Sequence, residues 1–131
     1  MRAAIYCKTI VGKSAKTQEN ILRRLCQQRG WAVGKVYVHQ PDRQRMTGSK
    51  SARITLLDDL FHGRHGFGVV CVWRLGMLGL AIDDLLWALD EIHISRHIQI
   101  VAMGDGFDTT VGDGMATKVI RALAAVGRNG T

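Results

Sequence analysis

An uninterrupted apolar run near the middle of the chain is the feature that most constrains the fold. The run Val69-Val-Cys-Val-Trp73 has the length of a strand and is shorter than an ordinary helix. A strand that is apolar throughout is buried on both faces, which is typical of a parallel strand covered by helices. We therefore predict a central strand at residues 67–73. The loop at residues 74–81 then lies at the sheet edge where ligands bind in parallel sheets.

Apolar periodicity predicts that strands and helices alternate along the whole chain. Three further strands are expected at residues 2–7, 31–39 and 97–103. Four helices are expected at residues 17–29, 52–62, 82–93 and 113–126. This order predicts an α/β fold with a largely parallel sheet.

Length and composition indicate one ordered domain. A chain of 131 residues with 47% hydrophobic and 22% charged residues can bury a core and is not typical of disorder. Its apolar runs fall well short of the roughly 20 residues that a bilayer crossing requires. The odd number and wide spacing of Cys7, Cys26 and Cys71 favour packed free thiols in a reducing compartment. We expect a cytoplasmic protein with no membrane partner.

The balance of charge points towards a polyanionic partner. The formal net charge is +7, which attracts nucleic acid at long range. Solubility alone is an alternative explanation of such a charge. The basic residues that we predict to contact nucleic acid are Lys13, Arg43, Arg45, Lys50 and Arg121. Most of them lie in predicted loops, where solvated side chains are the competing interpretation.

Two other patterns could indicate ligands. Gly12-Lys13-Ser14 resembles the end of a phosphate-binding loop, but the glycine required five residues earlier is replaced by Cys7. A nucleotide-binding protein is therefore kept only as an alternative. His62 and His65 could suggest a metal pair, but a third ligand is not evident, so a solvated turn is expected. No metal and no other cofactor is predicted.

Short motifs spread over nearly the whole chain resemble those of the serine recombinases, the resolvase and invertase family. They keep the family's order and spacing, and they include Ala4-Ile-Tyr-Cys7, Gln18, Leu22-Arg-Arg-Leu-Cys26, Gly30-Trp31, Thr47-Gly48 followed by Arg53, Val70-Cys-Val-Trp-Arg-Leu75, Gly79, Asp84-Leu-Leu86, Gly106-Phe-Asp-Thr-Thr110 and Asp113-Gly-Met115. The resemblance implies a resolvase-like three-layer α/β fold. In that fold, helices flank a largely parallel central sheet of four to five strands.

The resemblance also implies covalent DNA chemistry, in which a serine hydroxyl attacks a backbone phosphate held by basic residues. Carried onto this chain, it assigns Ser14 as nucleophile and Lys8 and Arg53 as phosphate ligands, with Thr9 as a less favoured hydroxyl. Counted forward from the first strand, however, the nucleophile position is Ile10. Guanidinium groups suit phosphate oxygens better than an ammonium does, so Lys8 is not an equivalent replacement for arginine.

The loop after the central strand departs furthest from the family. Both active-site arginines and an acid of the family are replaced there by Gly76-Met-Leu-Gly-Leu-Ala81. Losing one phosphate ligand in a buried site typically costs about 10²–10³-fold in rate. We therefore expect catalysis to be impaired or lost. The alternative is a non-catalytic relative that acts as a protein-interaction or DNA-associated regulatory domain and pairs with itself or with an active recombinase. Its contact surfaces would be the apolar loop at residues 75–81, in which Met77, Leu78 and Leu80 form an apolar patch, and the last helix.

The end of the chain bears on oligomerisation and domain organisation. In the family, the last helix forms the dimer interface and continues into a separate DNA-binding domain. In this chain the predicted helix is followed by Gly127-Arg-Asn-Gly-Thr131. We expect residues 1–131 to form a single catalytic-type domain without the DNA-binding domain. A homodimer or higher oligomer would form through the last helix.

Overall fold

A computed structural model describes residues 1–39, 51–112 and 114–128 of the chain. These residues form five strands and four helices. In chain order they are β1 (Arg2–Cys7), α1 (Ala15–Arg29), β2 (Ala32–Val38), α2 (Ala52–Phe61), β3 (Phe67–Val72), α3 (Ile82–Leu89), β4 (Gln99–Ala102), β5 (Phe107–Asp108) and α4 (Met115–Arg128). None of the described helices is both long and apolar enough to cross a membrane.

The sheet is largely parallel, as the apolar patterns predict. Its strand order is β2-β1-β3-β4-β5, and every neighbouring pair is parallel except β4 and the short β5. The predicted central strand β3 is the middle strand, with Val70 opposite Ala4 on one side and Ile100 on the other. The carboxyl ends of β1, β3 and β4 therefore meet at one edge of the sheet.

Alternation of apolar residues along the strands produces two cores on opposite faces of the sheet. Ala3, Ile5 and Cys7 of β1 pack with α1, whereas Ala4 and Tyr6 pack with the layer formed by α2, α3 and α4. The three-layer α/β arrangement is thus confirmed. The three cysteines are buried and unbridged, as predicted.

Helix α1 begins earlier than the predicted range of residues 17–29. Ser14 is its N-cap, because the Ser14 hydroxyl accepts a hydrogen bond from the backbone N–H of Thr17 at 3.1 Å. Its predicted end is confirmed, since Gly30 adopts the left-handed conformation with φ 73°. The capping hydroxyl, which apolar periodicity does not register, accounts for the wrong start.

Helix α3 is shorter than the predicted range of residues 82–93. It ends at Leu89 and is continued by a wider π-helical turn, Asp90–Ser95. Within this turn the His93 ring is buried, with Nδ1 at 3.0 Å from the Ile98 carbonyl oxygen and Nε2 at 2.7 Å from the Thr117 hydroxyl. These contacts join the turn to the residue before β4 and to α4, so both ring nitrogens of the buried histidine have a partner.

Candidate functional site

A cavity of about 370 Å³ lies at the carboxyl edge of the sheet. Its walls come from β1 and the following loop, the residue after β2, the N-cap and first turn of α2, and the turn after β3. The lining residues are Tyr6, Lys8, Ile10, His39, Ser51, Arg53, Ile54, Arg74, Gly76, Met77, Gly79 and Leu80. The cavity is therefore where parallel sheets usually bind ligands, and it includes the predicted site residues Lys8 and Arg53.

Lys8 is the first residue after β1, and buried Gln18 on α1 fixes its backbone. The Lys8 ammonium forms no ion pair with any of the described residues. Its charge acts on His39 across the cavity. Burial of His39, together with the Lys8 charge, lowers the pKa of the imidazole. The lowered pKa favours the neutral form of His39 beside Lys8.

Arg53 lies in the first turn of α2, which Ser51 caps by accepting the backbone N–H of Ile54 at 3.0 Å. Its side chain is only 8% exposed, and its Nη1 lies 3.4 Å from an Asp84 carboxylate oxygen. The same oxygen accepts the backbone N–H of Leu80 at 2.8 Å. Asp84 thus connects the cavity arginine to the loop between β3 and α3.

Arg74 is a lining residue that sequence reasoning did not assign to the site. It follows β3, and its Nη1 lies 3.1 Å from Asp105, whose other oxygen accepts the backbone N–H of Leu75 at 2.6 Å. Its position in the sequence could have identified it as a site residue, since Arg74 is the first cation after the central strand.

The remaining wall of the cavity is apolar. Ile10, Ile54, Met77 and Leu80 line it, and Leu80 is 80% exposed to solvent. Leu78, which was grouped with Met77 and Leu80 as a surface patch, is instead fully buried in the core between the sheet and α2–α4. The short 3₁₀ turn Leu75–Leu78 separates these side chains and leaves Met77 and Leu80 at the cavity.

The structure places the predicted nucleophile in a capping role. The Ser14 hydroxyl accepts the Thr17 N–H and donates to the Thr17 hydroxyl at 2.9 Å, while Thr9 accepts the N–H of Ala15 at 3.0 Å. Of the described residues in this loop, Lys8 and Ile10 line the cavity and Ser14 does not. Lys8 and Arg53 are therefore brought together, and Ser14 is not brought to them.

The two predicted DNA contacts that the structure describes, Lys13 and Arg121, both lie outside the cavity lining. Lys13 holds its ammonium over the Trp73 ring, 4.2 Å from the ring centre. Arg121 is exposed on α4 and is not among the lining residues. Arg43, Arg45 and Lys50 lie outside the described residues.

The turn at His62 and His65 is solvated, as expected, and a carboxylate of α2 lies beside each histidine. His62 Nδ1 is 3.2 Å from Asp58, and His65 Nε2 is 3.6 Å from Asp59. Within the described ranges, no group of three His, Cys, Asp or Glu residues could hold a metal ion. These contacts join α2 to the turn before β3.

The structure is similar over nearly its whole length to serine recombinase catalytic domains. The N-terminal catalytic domain of TP901-1 integrase superposes with a TM-score of 0.73 at 20% identity, covering 98% of this chain and 95% of that one. A resolvase family site-specific recombinase from Streptococcus pneumoniae gives 0.70 at 18% identity, covering 99% and 89%. The C-terminal catalytic domain of ISC1926 TnpA, an IS607-like serine recombinase, gives 0.57 at 18% identity, covering 96% and 80%.

These similarities define the fold. The chain has the resolvase-like catalytic-domain fold that its motifs predict. No family model and no curated protein sequence matches the chain.

Proposed function

We propose that this chain is a recombinase-type domain that holds a DNA backbone phosphate in the cavity without cleaving it through Ser14. One observation carries the proposal. Lys8, Arg53 and Arg74 come from three separate segments and line one cavity, while the β1–α1 loop presents Ile10 to that cavity. Lysine and arginine side chains that converge on one cavity suit the phosphate of a polyanion. The isoleucine at the nucleophile position carries no group that could attack that phosphate.

The other hydroxyls near the cavity are also poorly suited to attack a phosphate. Ser14 and Ser51 are the caps of α1 and α2, and removing a capping hydroxyl from its helix typically costs about 0.5–2 kcal/mol. Burial raises the pKa of the Tyr6 phenol, which keeps its proton in place. An active recombinase using Ser14 would therefore need the β1–α1 loop to rearrange.

The nucleotide-binding alternative receives no support from the Gly12-Lys13-Ser14 loop. Ile10 and Lys13 exchange two backbone hydrogen bonds, at 3.0 and 3.1 Å, across a tight turn with Gly12 at φ 81°. The Lys13 N–H is thereby used within the turn, and its ammonium lies over Trp73. A phosphate-binding loop instead requires such donors to point at the ligand.

We further propose that the domain pairs with a second copy of itself, or with an active recombinase, through α4. Met115, Val119 and Leu123 recur at four-residue intervals and are all exposed, whereas Ile120 is buried against the core. The three exposed residues Met115, Val119 and Leu123 form an apolar stripe along the outer face of the helix.

The reducing cytoplasm that we expect for the protein is compatible with its three free thiols.

The deciding experiment is a denaturing-gel assay for a covalent protein–DNA adduct on nicked duplex DNA, combined with a salt titration of DNA binding. We expect no adduct from the wild type or from Ser14→Ala. Binding should be salt-sensitive, and Lys8→Ala should weaken it and reduce the salt slope by about one unit. Lys16→Ala, which removes an exposed lysine of α1 outside the cavity, is the matched control.

Two outcomes would contradict the proposal in different ways. A Ser14-dependent adduct would establish an active recombinase whose loop delivers the serine. DNA binding that is absent, or equally weakened by Lys8→Ala and Lys16→Ala, would remove the cavity from DNA recognition.

A further inference from the structure

We infer that the cavity accepts an unstacked nucleotide of DNA, with its phosphate at the cations and its base against the apolar wall. The domain would then prefer single-stranded or frayed DNA to an intact duplex. This inference rests on the proposed function, and it assigns a ligand class to the same cavity.

The size and lining of the cavity exceed what a phosphate alone requires. Its volume of about 370 Å³ falls within the roughly 300–1,000 Å³ range of small-molecule sites, which are mostly apolar with a few placed polar groups. A phosphate at Lys8 and Arg53 would leave Met77 and Leu80 in water. A ligand with an anionic end and a flat apolar body would cover both kinds of wall, and a nucleotide is such a ligand.

Charge complementarity favours an anionic occupant over a purely apolar one. Lys8, Arg53 and Arg74 all line the cavity. The carboxylates of Asp84 and Asp105 contact the two arginines but are not among the described lining residues. These acids hold the arginines in place and offset much of their charge, so among the described residues the unpaired positive charge of the lining is that of Lys8.

The apolar wall is held in position by backbone contacts. The Leu80 N–H is bonded to Asp84, and the Met77 N–H donates to the Arg74 carbonyl at 3.1 Å. Leu80 is therefore exposed on an anchored backbone. Anchored apolar side chains beside cations lose little freedom when a base packs on them, which favours binding.

The state of the DNA decides whether a base can reach this wall. In a duplex, a base must be unpaired and unstacked before it can enter a protein cavity, whereas a single strand avoids most of that cost. Apolar side chains such as leucine, isoleucine and methionine contact unstacked bases in other DNA-binding proteins. The preference for single strands thus follows from the base contact, and phosphate contacts alone would not produce it.

The test compares three DNA probes at one salt concentration by fluorescence anisotropy. They are a short 5′-phosphorylated oligothymidylate, an oligomer of the same length made of abasic nucleotides, and a duplex of that length. We expect the oligothymidylate to bind about tenfold more tightly than either of the others. Leu80→Ser should abolish this difference, whereas Val111→Ser, at an exposed apolar residue outside the cavity lining, should preserve it.

The outcomes separate this inference from the proposed function. Equal, salt-sensitive binding of all three probes, weakened by Lys8→Ala but not by Leu80→Ser, would overturn the base contact and leave phosphate binding intact. Failure of all three probes to bind would overturn both. A preference for the oligothymidylate that Leu80→Ser leaves unchanged would also overturn the inference, because the discrimination would then arise elsewhere.

Discussion

The side chain of Gln18 is bonded to both backbone groups of Lys8. Gln18 Oε1 accepts the Lys8 N–H at 3.1 Å, and Gln18 Nε2 donates to the Lys8 carbonyl oxygen at 2.6 Å. Gln18 is fully buried on α1, and it also donates to the Lys13 carbonyl at 3.3 Å. A single amide therefore fixes both ends of the β1–α1 loop and holds Lys8 at the cavity.

Gln18→Ala should lower the free energy of unfolding by about 2–4 kcal/mol. The substitution leaves the Lys8 N–H and carbonyl, which are partly buried, without their protein partner, and each such group typically costs about 1–3 kcal/mol. Urea denaturation measures the loss. Gln28→Ala, which changes an exposed glutamine of the same helix, should stay within about 0.5 kcal/mol of the wild type. Equal effects of the two substitutions would contradict this role for Gln18.

Gly79→Ala should destabilise the protein and distort the cavity. A Cβ atom at Gly79 would lie 2.6 Å from the backbone N and Cα of Leu85, so the loop or the start of α3 must move. Such overpacking typically costs about 1–3 kcal/mol. Gly76→Ala is the matched control, because its Cβ would meet no atom within 4 Å. Thermal unfolding of the two variants should therefore differ, and equally tolerated substitutions would show that the loop is not held against α3.

Ionisation of Asp59 should make the free energy of unfolding depend on pH in the acid range. Its carboxylate is buried, which alone would raise its pKa, but hydrogen bonds from Tyr37 and Arg64 and the charge of Lys35 lower the pKa overall. The unfolded chain therefore takes up this proton at a higher pH than the folded chain does. The stabilisation is present above the ordinary value of 3.8 and is lost as the pH falls through the lower folded value.

Asp59→Asn should lower stability at neutral pH by about 1–3 kcal/mol and reduce its dependence on pH below about 4. Unfolding free energies measured across that acid range check both effects. Asp83→Asn, at an exposed carboxylate near the start of α3, should cost less than about 1 kcal/mol. An unchanged acid profile in Asp59→Asn would show that the carboxylate does not carry this linkage.

The apolar stripe on α4 should support self-association. Val119→Asp places a charge between Met115 and Leu123, and it should weaken a dimer by about 10–100-fold in Kd without unfolding the domain, since Val119 is exposed. Sedimentation velocity over a range of concentrations measures the change. Lys118→Asp, at the neighbouring exposed residue outside the stripe, is the control. A wild type that stays monomeric at every concentration would refute the proposed pairing.

Much of the fold could be predicted because its signals are local. The apolar run at residues 69–73 identifies the central strand, and alternation in β1 assigns Ile5 and Tyr6 to opposite faces. Side-chain periodicity follows directly from backbone geometry, so these features can be read without tertiary contacts. The motifs resembling serine recombinases predicted the same fold, and they predicted that Lys8 and Arg53 belong to one site.

The composition of the cavity wall could not be read from the sequence in the same way. Spacing left Ile10 and Ser14 as competing positions, and the choice depends on the Ile10–Lys13 turn and on the bonds of Gln18. Arg53 meets Asp84 and Arg74 meets Asp105 only because the fold brings together segments about 30 residues apart. Hydrophobic periodicity carries no information about such polar contacts.

The sequence by itself determined the order of the elements, the parallel sheet and the edge at which a site would form. The tertiary structure alone decided that Ile10 faces the cavity while Ser14 caps α1, that Leu78 turns into the core while Leu80 stays exposed, and that Arg74 joins the site. The physical reason is that strands and helices follow from local burial patterns. Loop side chains take their directions from hydrogen bonds and packing between segments distant in sequence.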